Sequence, residues 1–467
     1  MTSPTVLWFR RDLRLSDHRA LIEASSQGPV VGLFVLDPRL LAQCGPSRAH
    51  YLAATLAALS ESMGGALVLR AGEPSSVVRE VCRESGATRV VITEDFAPYG
   101  RSRDERVERE LAAEGITLVR ADIPYAIRPG TVMTAAGTPP KVFTPFFRGW
   151  EASGPPAPVE STRGIDWLSL PTLTPEAVVA AAGGGRPELF EGIGDPTARE
   201  FDDVGEAGAR RRLDEFRVRV DEYAEGRNHP GLEATSRLSP HLRFGTIHPR
   251  QVLDATVTSS ESARVFRSEV AWREFYGDVL YHHPESRWRA LQPVMERLRV
   301  DEGSEARDRF RAWAEGRTGY PLVDAGMRQL LSEGWMHNRV RMVCASFLVK
   351  HLHLDWRWGA RWFLWCLIDA DVASNQHGWQ WTAGTGTDAA PFHRVFNPTL
   401  QAERFDPEGV YVRHYVEELR GTSAPQCLQP GGGAGLLAPP RYPTPLVDAA
   451  RERDEALARF AEVRASK

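Results

Sequence analysis

The chain has 467 residues, too many for one ordinary hydrophobic core, so two or three domains are expected. A hydrophobic fraction of 42% and a charged fraction of 25% are those of a globular protein, and a net charge of −4 argues against a uniformly basic nucleic-acid binder while leaving room for a local basic face. No apolar run of 18 residues and no leader-like segment is visible, which argues against membrane spanning and export, and the five cysteines lack CxxC spacing, which argues against zinc or a disulfide framework and for the cytoplasm.

In chain order, the first 130 residues alternate short apolar runs with amphipathic segments. Val6–Phe9, Val30–Leu36, Ala66–Leu69, Arg89–Ile92 and Ile116–Val119 read as buried strands; Arg48–Ser62, Ser75–Glu84 and Arg103–Glu114 read as helices. This predicts a doubly wound, five-stranded parallel α/β sheet, which binds ligands beyond the carboxyl ends of its strands. No GxGxxG follows the first strand, so an ordinary dinucleotide site is not expected there. Residues 131–200, rich in proline and carrying the run Gly183–Gly185, read as an irregular connector. From 201 to 467 the pattern is helical: Ala209–Glu225, Glu261–Tyr281, Ala306–Glu315, Pro321–Ser332, Asn338–Leu352, Arg357–Leu367 and a short piece at Val416–Arg420. Pro425–Pro445 reads as a surface loop, and Asp448–Ser466 as a charged, exposed terminal helix.

Four constellations stand out. Thr235, Ser236, Arg237, Leu238 and Ser239 (TSRLS) precede Pro240; Ser239 with Pro240 suits the start of a helix, and hydroxyls with an arginine there form either a plain cap or a phosphate site. In EVAWREFY, Glu269, Trp272, Arg273 and Tyr276 share one helical face, either a salt-bridged surface or a base-recognition surface. WMHNRVRM sets Asn338, Arg341 and Met342 within about one turn. The fourth, Ile368–Pro391, packs carboxylates, amides, two indoles and glycines more densely than core packing requires. Ten of the 13 tryptophans lie between Trp272 and Trp381, which for any one of them is explained by an aromatic helical core.

Together these segments resemble the photolyase/cryptochrome family, most closely its class I cyclobutane pyrimidine dimer photolyases, over nearly the whole chain. The resemblance implies a helical FAD-binding catalytic domain over 201–467, with UV-damaged DNA as partner, a monomer and no membrane association. It assigns Tyr223, Thr235, Ser236, Arg237, Leu238, Ser239, Phe266, Arg273, Arg341, Asp369, Asp371 and Asn375 to the flavin, Arg341 pairing with Asp369 and Asn375 facing flavin N5. Glu269, Trp272, Asn338, Met342 and Trp381 would line the lesion pocket. Asparagine at 338 favours cyclobutane dimers, since members acting on (6-4) photoproducts carry histidine. Arg227, Arg339, Arg394 and Gln401 would meet DNA. Trp379 and Trp356 match the two inner members of the family's electron-supply chain; the outer one falls near Gly303, where this sequence has no aromatic, so either another aromatic such as Trp358, Trp362 or Tyr320 ends the chain or light-driven reduction is inefficient here. Arg48, Tyr99, Gly100 and Arg101 resemble the antenna site of members that carry 8-hydroxy-5-deazaflavin; folate-antenna members, with methenyltetrahydrofolate, usually have Asn-Glu where Tyr99-Gly100 stands, and no antenna at all is the third possibility. The alternative function is a cryptochrome, a blue-light receptor without repair turnover.

Overall fold

Thr5–Phe9 (β1), Val30–Leu36 (β2), Val68–Ala71 (β3), Arg89–Thr93 (β4) and Thr117–Asp122 (β5) are strands of one parallel sheet, ordered β3-β2-β1-β4-β5; β-branched and other apolar residues are buried on both faces of β1, β2 and β4, whereas the edge strands β3 and β5 are partly exposed. The computed structural model describes residues 3–388, 394–429 and 442–465. Register is direct: Leu7 lies opposite Gly32 on β2 and Val91 on β4. Strand order reverses between β1 and β4, which makes their carboxyl ends the favoured place for a ligand.

The chain forms two compact units. One comprises 1–185, 198–221 and 236–284; the other comprises 186–197, 222–235 and 285–467. The helical region beginning near 201 therefore contributes to both. In the first unit, Arg250, at the start of the Pro249–Ala255 helix, donates to Asp17 (3.2 Å) and to both oxygens of Asp122 (3.1 and 3.2 Å) at the end of β5. Arg14 joins the same buried cluster at 3.5 Å from Asp122. The second unit contains no strand among the described residues. Its core is an aromatic helical cluster that includes Trp313, Phe347, Trp362 and Phe363.

Several sequence expectations shift. The third strand begins at Val68 rather than Ala66. Pro98 starts a helix (Pro98–Ala112) five residues before the expected Arg103 and places Tyr99 and Gly100 in its first turn. Ala209–Glu225 is not one helix: Gly205–Arg217 stops near Val218, which is 85% exposed, and a 3-10 turn and the short Tyr223–Gly226 helix follow. The connector is less irregular than its prolines suggest. It contains the helices Phe143–Ala152 and Glu176–Ala181, and Leu168 and Leu173 bond to the backbone of β2 and β3. Ser239 is the first helical residue of Ser239–Phe244 rather than its cap, because Leu238 already has near-helical angles. The stretch read as a loop from Pro425 is helical over Ala424–Leu428, and residues 430–441 lie outside the described residues. The terminal helix, Ala449–Ala465, is not wholly exposed: Ala456, Phe460 and Val463 form a buried stripe at helical spacing, and Arg459 bonds Asp301.

Burial opposes ionisation of Asp122, but hydrogen bonds from Arg250 and the charges of Arg14 and Arg250 outweigh it and hold the carboxyl at about 2, below its ordinary 3.8. Because the folded value is the lower one, the stabilisation is present above about pH 4 and is lost as pH falls through 3.8 toward 2. Asp122→Asn is expected to cost about 3–5 kcal/mol at pH 7 by urea unfolding, since it removes the carboxylate that Arg14 and Arg250 share and leaves the buried guanidinium charge only partly compensated by Asp17. The difference from the parent should shrink as pH approaches 2.

Candidate functional site

The predicted site residues divide between the two units. In the first, the carboxyl ends of β1, β2 and β4 carry a charged cluster over an indole. The guanidinium groups of Arg10 and Arg103 lie 4.8 and 5.1 Å from the Trp8 ring, Arg10 pairs with Asp104 at 2.7 Å, and Arg103 reaches Asp104 and Asp95. Tyr99 donates to Asp37 at the end of β2; burial, and then this bond, push its phenol pKa upward. Gly100 packs so closely that a Cβ would stand 2.2 Å from the Asp95 carboxyl, so no larger residue fits without displacement. Arg101 lies over the Tyr281 ring, and Arg48 is turned toward Cys44 and the carbonyl of Gln43.

The Glu261–His282 helix presents two faces. Glu274 is buried, accepting from Trp150 Nε1 (2.6 Å), Ile127 N (3.0 Å) and Ala126 N, while Asp278 accepts from Gly130 N. With these turned inward, Glu269, Trp272, Arg273 and Tyr276 form a half-buried face, as their spacing predicts. Arg273 donates to the carbonyls of Pro124 and Leu242 and lies 4.8 Å from the Tyr125 ring, and Phe266 is buried against Phe216. Arg237 has φ +48 within the TSRLS turn, where Ser236 Oγ accepts from Leu238 N. The sequence reading missed Phe143, whose ring stacks on Trp272 at 3.9 Å between centroids. The available signal was the i, i+3, i+7 spacing of Phe143, Phe146 and Trp150 inside the supposed connector.

In the second unit, His337 caps the Asn338–Lys350 helix by accepting from Arg339 N, which leaves Asn338 exposed in the first turn. Arg341 binds both oxygens of Asp369 (2.8 and 3.2 Å) and donates through Nε to the Met336 carbonyl. Arg339 donates to Asn228 and covers Phe405; Met342 is half-buried beside it. Tyr223 is buried under Arg227, 5.4 Å from ring to guanidinium. Arg394 is exposed and Gln401 half-buried.

Asp371 caps the Val372–Ala383 helix through Ser374 N. Inside, the amides of Gln376 and Gln380 donate to the carbonyls of Arg287, Ser286 and Arg289, and His377 meets Ser286. The remaining stripe, Ser374, Asn375, Gly378 and Trp381, is half-exposed, and a Cβ at Gly378 would meet nothing within 4 Å. Asn375 Nδ2 donates to the Ala360 carbonyl (3.1 Å) and to Gln376 Oε1 (2.7 Å). Two acceptors set the amide's orientation, so Oδ1 is the atom directed elsewhere.

The Trp356–Cys366 helix carries two aromatic stripes. Trp356, Gly359 and Phe363 share one; Trp358, Trp362 and Trp365 share the other. Trp379 seats on Gly359 and meets Phe363 (5.0 Å) and Trp313 (6.1 Å) edge to face. Trp313 continues to Phe310, and Phe310 to half-buried Trp358. Trp362 meets Phe190, which in turn stacks on Phe310, and Tyr320 packs on Phe347 with its hydroxyl on the Val447 carbonyl. Gly303 has φ +88 and ψ −165, a backbone conformation reserved almost entirely for glycine, so a tryptophan there would be strained.

This chain belongs to the photolyase/cryptochrome family: residues 5–162 match the family described as DNA photolyase, and residues 266–462 the FAD binding domain of DNA photolyase. It is 39% identical to the deoxyribodipyrimidine photo-lyase of Agrobacterium fabrum, over 99% of this chain and 98% of that protein. Among solved structures, a bacterial class III photolyase from Agrobacterium tumefaciens superposes with a TM-score of 0.89 at 37% identity, covering 100% of this chain and 98% of that one; its class differs from the class I that the motifs resemble. A cryptochrome from Synechocystis is also similar, with a TM-score of 0.85, 28% identity and coverage of 98% and 99%.

A Cβ at Gly359 would stand 2.1 Å from the Trp379 ring. Gly359→Ala is expected to displace that indole and to destabilise the protein by about 1–3 kcal/mol through overpacking. Urea unfolding followed by tryptophan fluorescence checks this; an unchanged midpoint and spectrum would show that the ring does not depend on the glycine.

Proposed function

We propose that this protein repairs cyclobutane pyrimidine dimers in DNA by light, using bound FAD. The observation that carries the reading is the outer stripe of the Val372–Ala383 helix. Asn375 directs an acceptor oxygen, Gly378 leaves open space beside it, and Trp381 stands one turn on. A flat, hydrogen-bond-donating ring system fits that surface. The Arg341–Asp369 pair and the Asp371 cap fix its surroundings. The family membership and the photo-lyase relatives support the same conclusion.

In this reading Tyr223, Thr235, Ser236, Arg237, Leu238, Ser239, Phe266, Arg273, Arg341, Asp369, Asp371 and Asn375 bind FAD, with Asn375 accepting from flavin N5–H. When bound in its reduced form, FAD would absorb the photon and lend the dimer the electron that allows its two cross-ring bonds to open before the electron returns. The protein extrudes the lesion, which costs a few kcal/mol and less for a poorly stacked dimer. Trp272 and Trp381 stack on it, Glu269 and Asn338 bond its edge, and Met342 packs against it. Arg227, Arg339, Arg394 and Gln401 hold the backbone. For the antenna we favour 8-hydroxy-5-deazaflavin: a side chain at Gly100 would collide with Asp95, so the glutamate of folate-antenna members has no place there. No described helix is long and apolar enough to cross a membrane; that the protein is a monomer of the cytoplasm belongs to the proposal. The cryptochrome alternative is disfavoured by Glu269, Trp272, Asn338, Met342, Asn375 and Trp381, which resemble the repairing members of the family residue by residue.

Purified protein with fully reduced FAD is expected to restore thymine-dimer DNA under blue light, and Glu269→Ala and Asn338→Ala to lower repair more than FAD content. Each truncation leaves a polar group on the lesion unpaired, a loss of about 1–3 kcal/mol. Persistence of dimers in illuminated samples would reject repair and favour the receptor reading.

Electron supply is the second test. Trp379→Phe is expected to slow photoreduction of oxidised FAD by an external thiol at least tenfold, on the order of the 1.4 kcal/mol that separates decades of rate. Of the three candidate exits, Trp358 has the shorter route of ring contacts to Trp379 among the described residues, through Phe310 and Trp313, whereas Trp362 reaches the same Phe310 only by way of Phe190. Transient absorption should find a long-lived tryptophanyl radical that Trp358→Phe abolishes; its survival in that variant would move the exit elsewhere.

A further inference from the structure

The stretch read from sequence as connector contributes a helix, Phe143–Ala152, whose apolar face is turned on the Glu261–His282 helix. Three contacts one turn apart fasten it. Trp150 donates to buried Glu274, the Phe146 ring meets Phe275 at 5.1 Å, and the Phe143 ring lies parallel to the Trp272 indole, 3.9 Å between centroids and 8° between planes. Phe147 extends the stack behind Phe143 at 5.5 Å and 15°. The same indole is met by Phe275 at 75° and by Tyr276 at 50°. One face of Trp272 is therefore covered by a ring from another helix, and its edges are walled by its own helix. Its remaining surface is what an extruded base can meet.

We propose that Phe143 is a positioning residue for lesion recognition: it clamps Trp272 in the single rotamer that offers its remaining surface to an extruded pyrimidine dimer. This rests on the reading of Trp272 as a lesion-stacking indole. An unclamped indole on a half-exposed helical face samples several rotamers, and binding must then select one, which weakens affinity. Phe143 itself need not touch the lesion. Its effect should appear in the affinity for damaged DNA and vanish when the indole is absent.

The test is a double-mutant cycle on the full FAD-loaded protein, reading the dissociation constant for a thymine-dimer duplex in the dark, the constant for the undamaged duplex, and repair per absorbed photon at saturating DNA. Phe143→Met keeps volume without a ring face, and Phe143→Tyr keeps the ring. We expect Phe143→Met to weaken dimer binding roughly three- to tenfold through the added ordering cost. Undamaged binding and repair at saturation should stay as in the parent, Phe143→Tyr should behave as the parent, and Phe143→Met should add nothing in a Trp272→Ala background. Parent-like dimer binding by Phe143→Met, with Trp272→Ala impaired, overturns the clamp and leaves the lesion role of Trp272 intact. An equal loss in both backgrounds also overturns it, because the effect is then general packing. Parent-like dimer binding by Trp272→Ala removes the lesion role itself, and the clamp with it.

Discussion

A buried carboxylate organises the first unit. Glu274 lies in the interior of the Glu261–His282 helix's packing face, where burial pushes its pKa up and bonds from Ala126 N, Trp150 and Ile127 N oppose that shift. Such a group is tolerated when hydrogen-bond donors reach its oxygens, and the three that reach Glu274 fix the rotational setting of the helix relative to the 126–127 backbone and the Phe143–Ala152 helix. Asp278, one turn on, repeats the constraint through Gly130 N. With these two acids inward, the 3.6-residue period turns Glu269, Trp272, Arg273 and Tyr276 to the half-exposed face. The orientation of the proposed recognition face is thus a consequence of where two buried acids find donors.

The second unit reaches a similar result with neutral groups. Gln376 and Gln380 are buried amides whose donors are taken by carbonyls of residues 286–289, and Leu291 N returns a bond to Gln380. A helix with polar residues on both sides gives no amphipathic signal, yet these amides anchor one side as firmly as an apolar stripe would. The other side is thereby free to present Asn375, Gly378 and Trp381. Gly359 acts at the adjoining surface: it lets the Trp379 ring lie against the Trp356–Cys366 helix, placing that indole between Phe363 and Trp313.

The departure at Gly303 is local and physical. The backbone there occupies a region open to glycine, so the position is committed to a turn and not to an aromatic side chain. The second stripe of the Trp356–Cys366 helix and the contacts of Trp313 supply aromatic continuity by another route. This is a property of the packing of several helices and of no single motif.

Much of the architecture was legible in the residues. Apolar runs alternating with amphipathic segments determined the parallel sheet, because strands buried on both faces need continuous β-branched and aliphatic side chains. The period of EVAWREFY determined that Glu269, Trp272, Arg273 and Tyr276 share a face, and the motifs determined the family. Helix starts were less legible: Pro98 and Gly205 begin helices that apolar periodicity places later, because caps and first turns are set by backbone donors and not by a stripe. Only the tertiary structure decided which way Asn375 points, since that depends on acceptors from Ala360 and Gln376. It alone decided that Gly100 excludes a side chain, that the proline-rich connector carries Phe143 onto Trp272, and which aromatic rings touch Trp379. Each depends on how particular side chains meet in three dimensions, whether near in sequence like Gly100 and Asp95 or distant like Phe143 and Trp272, and periodicity, which reports only how one segment divides between core and solvent, does not encode it.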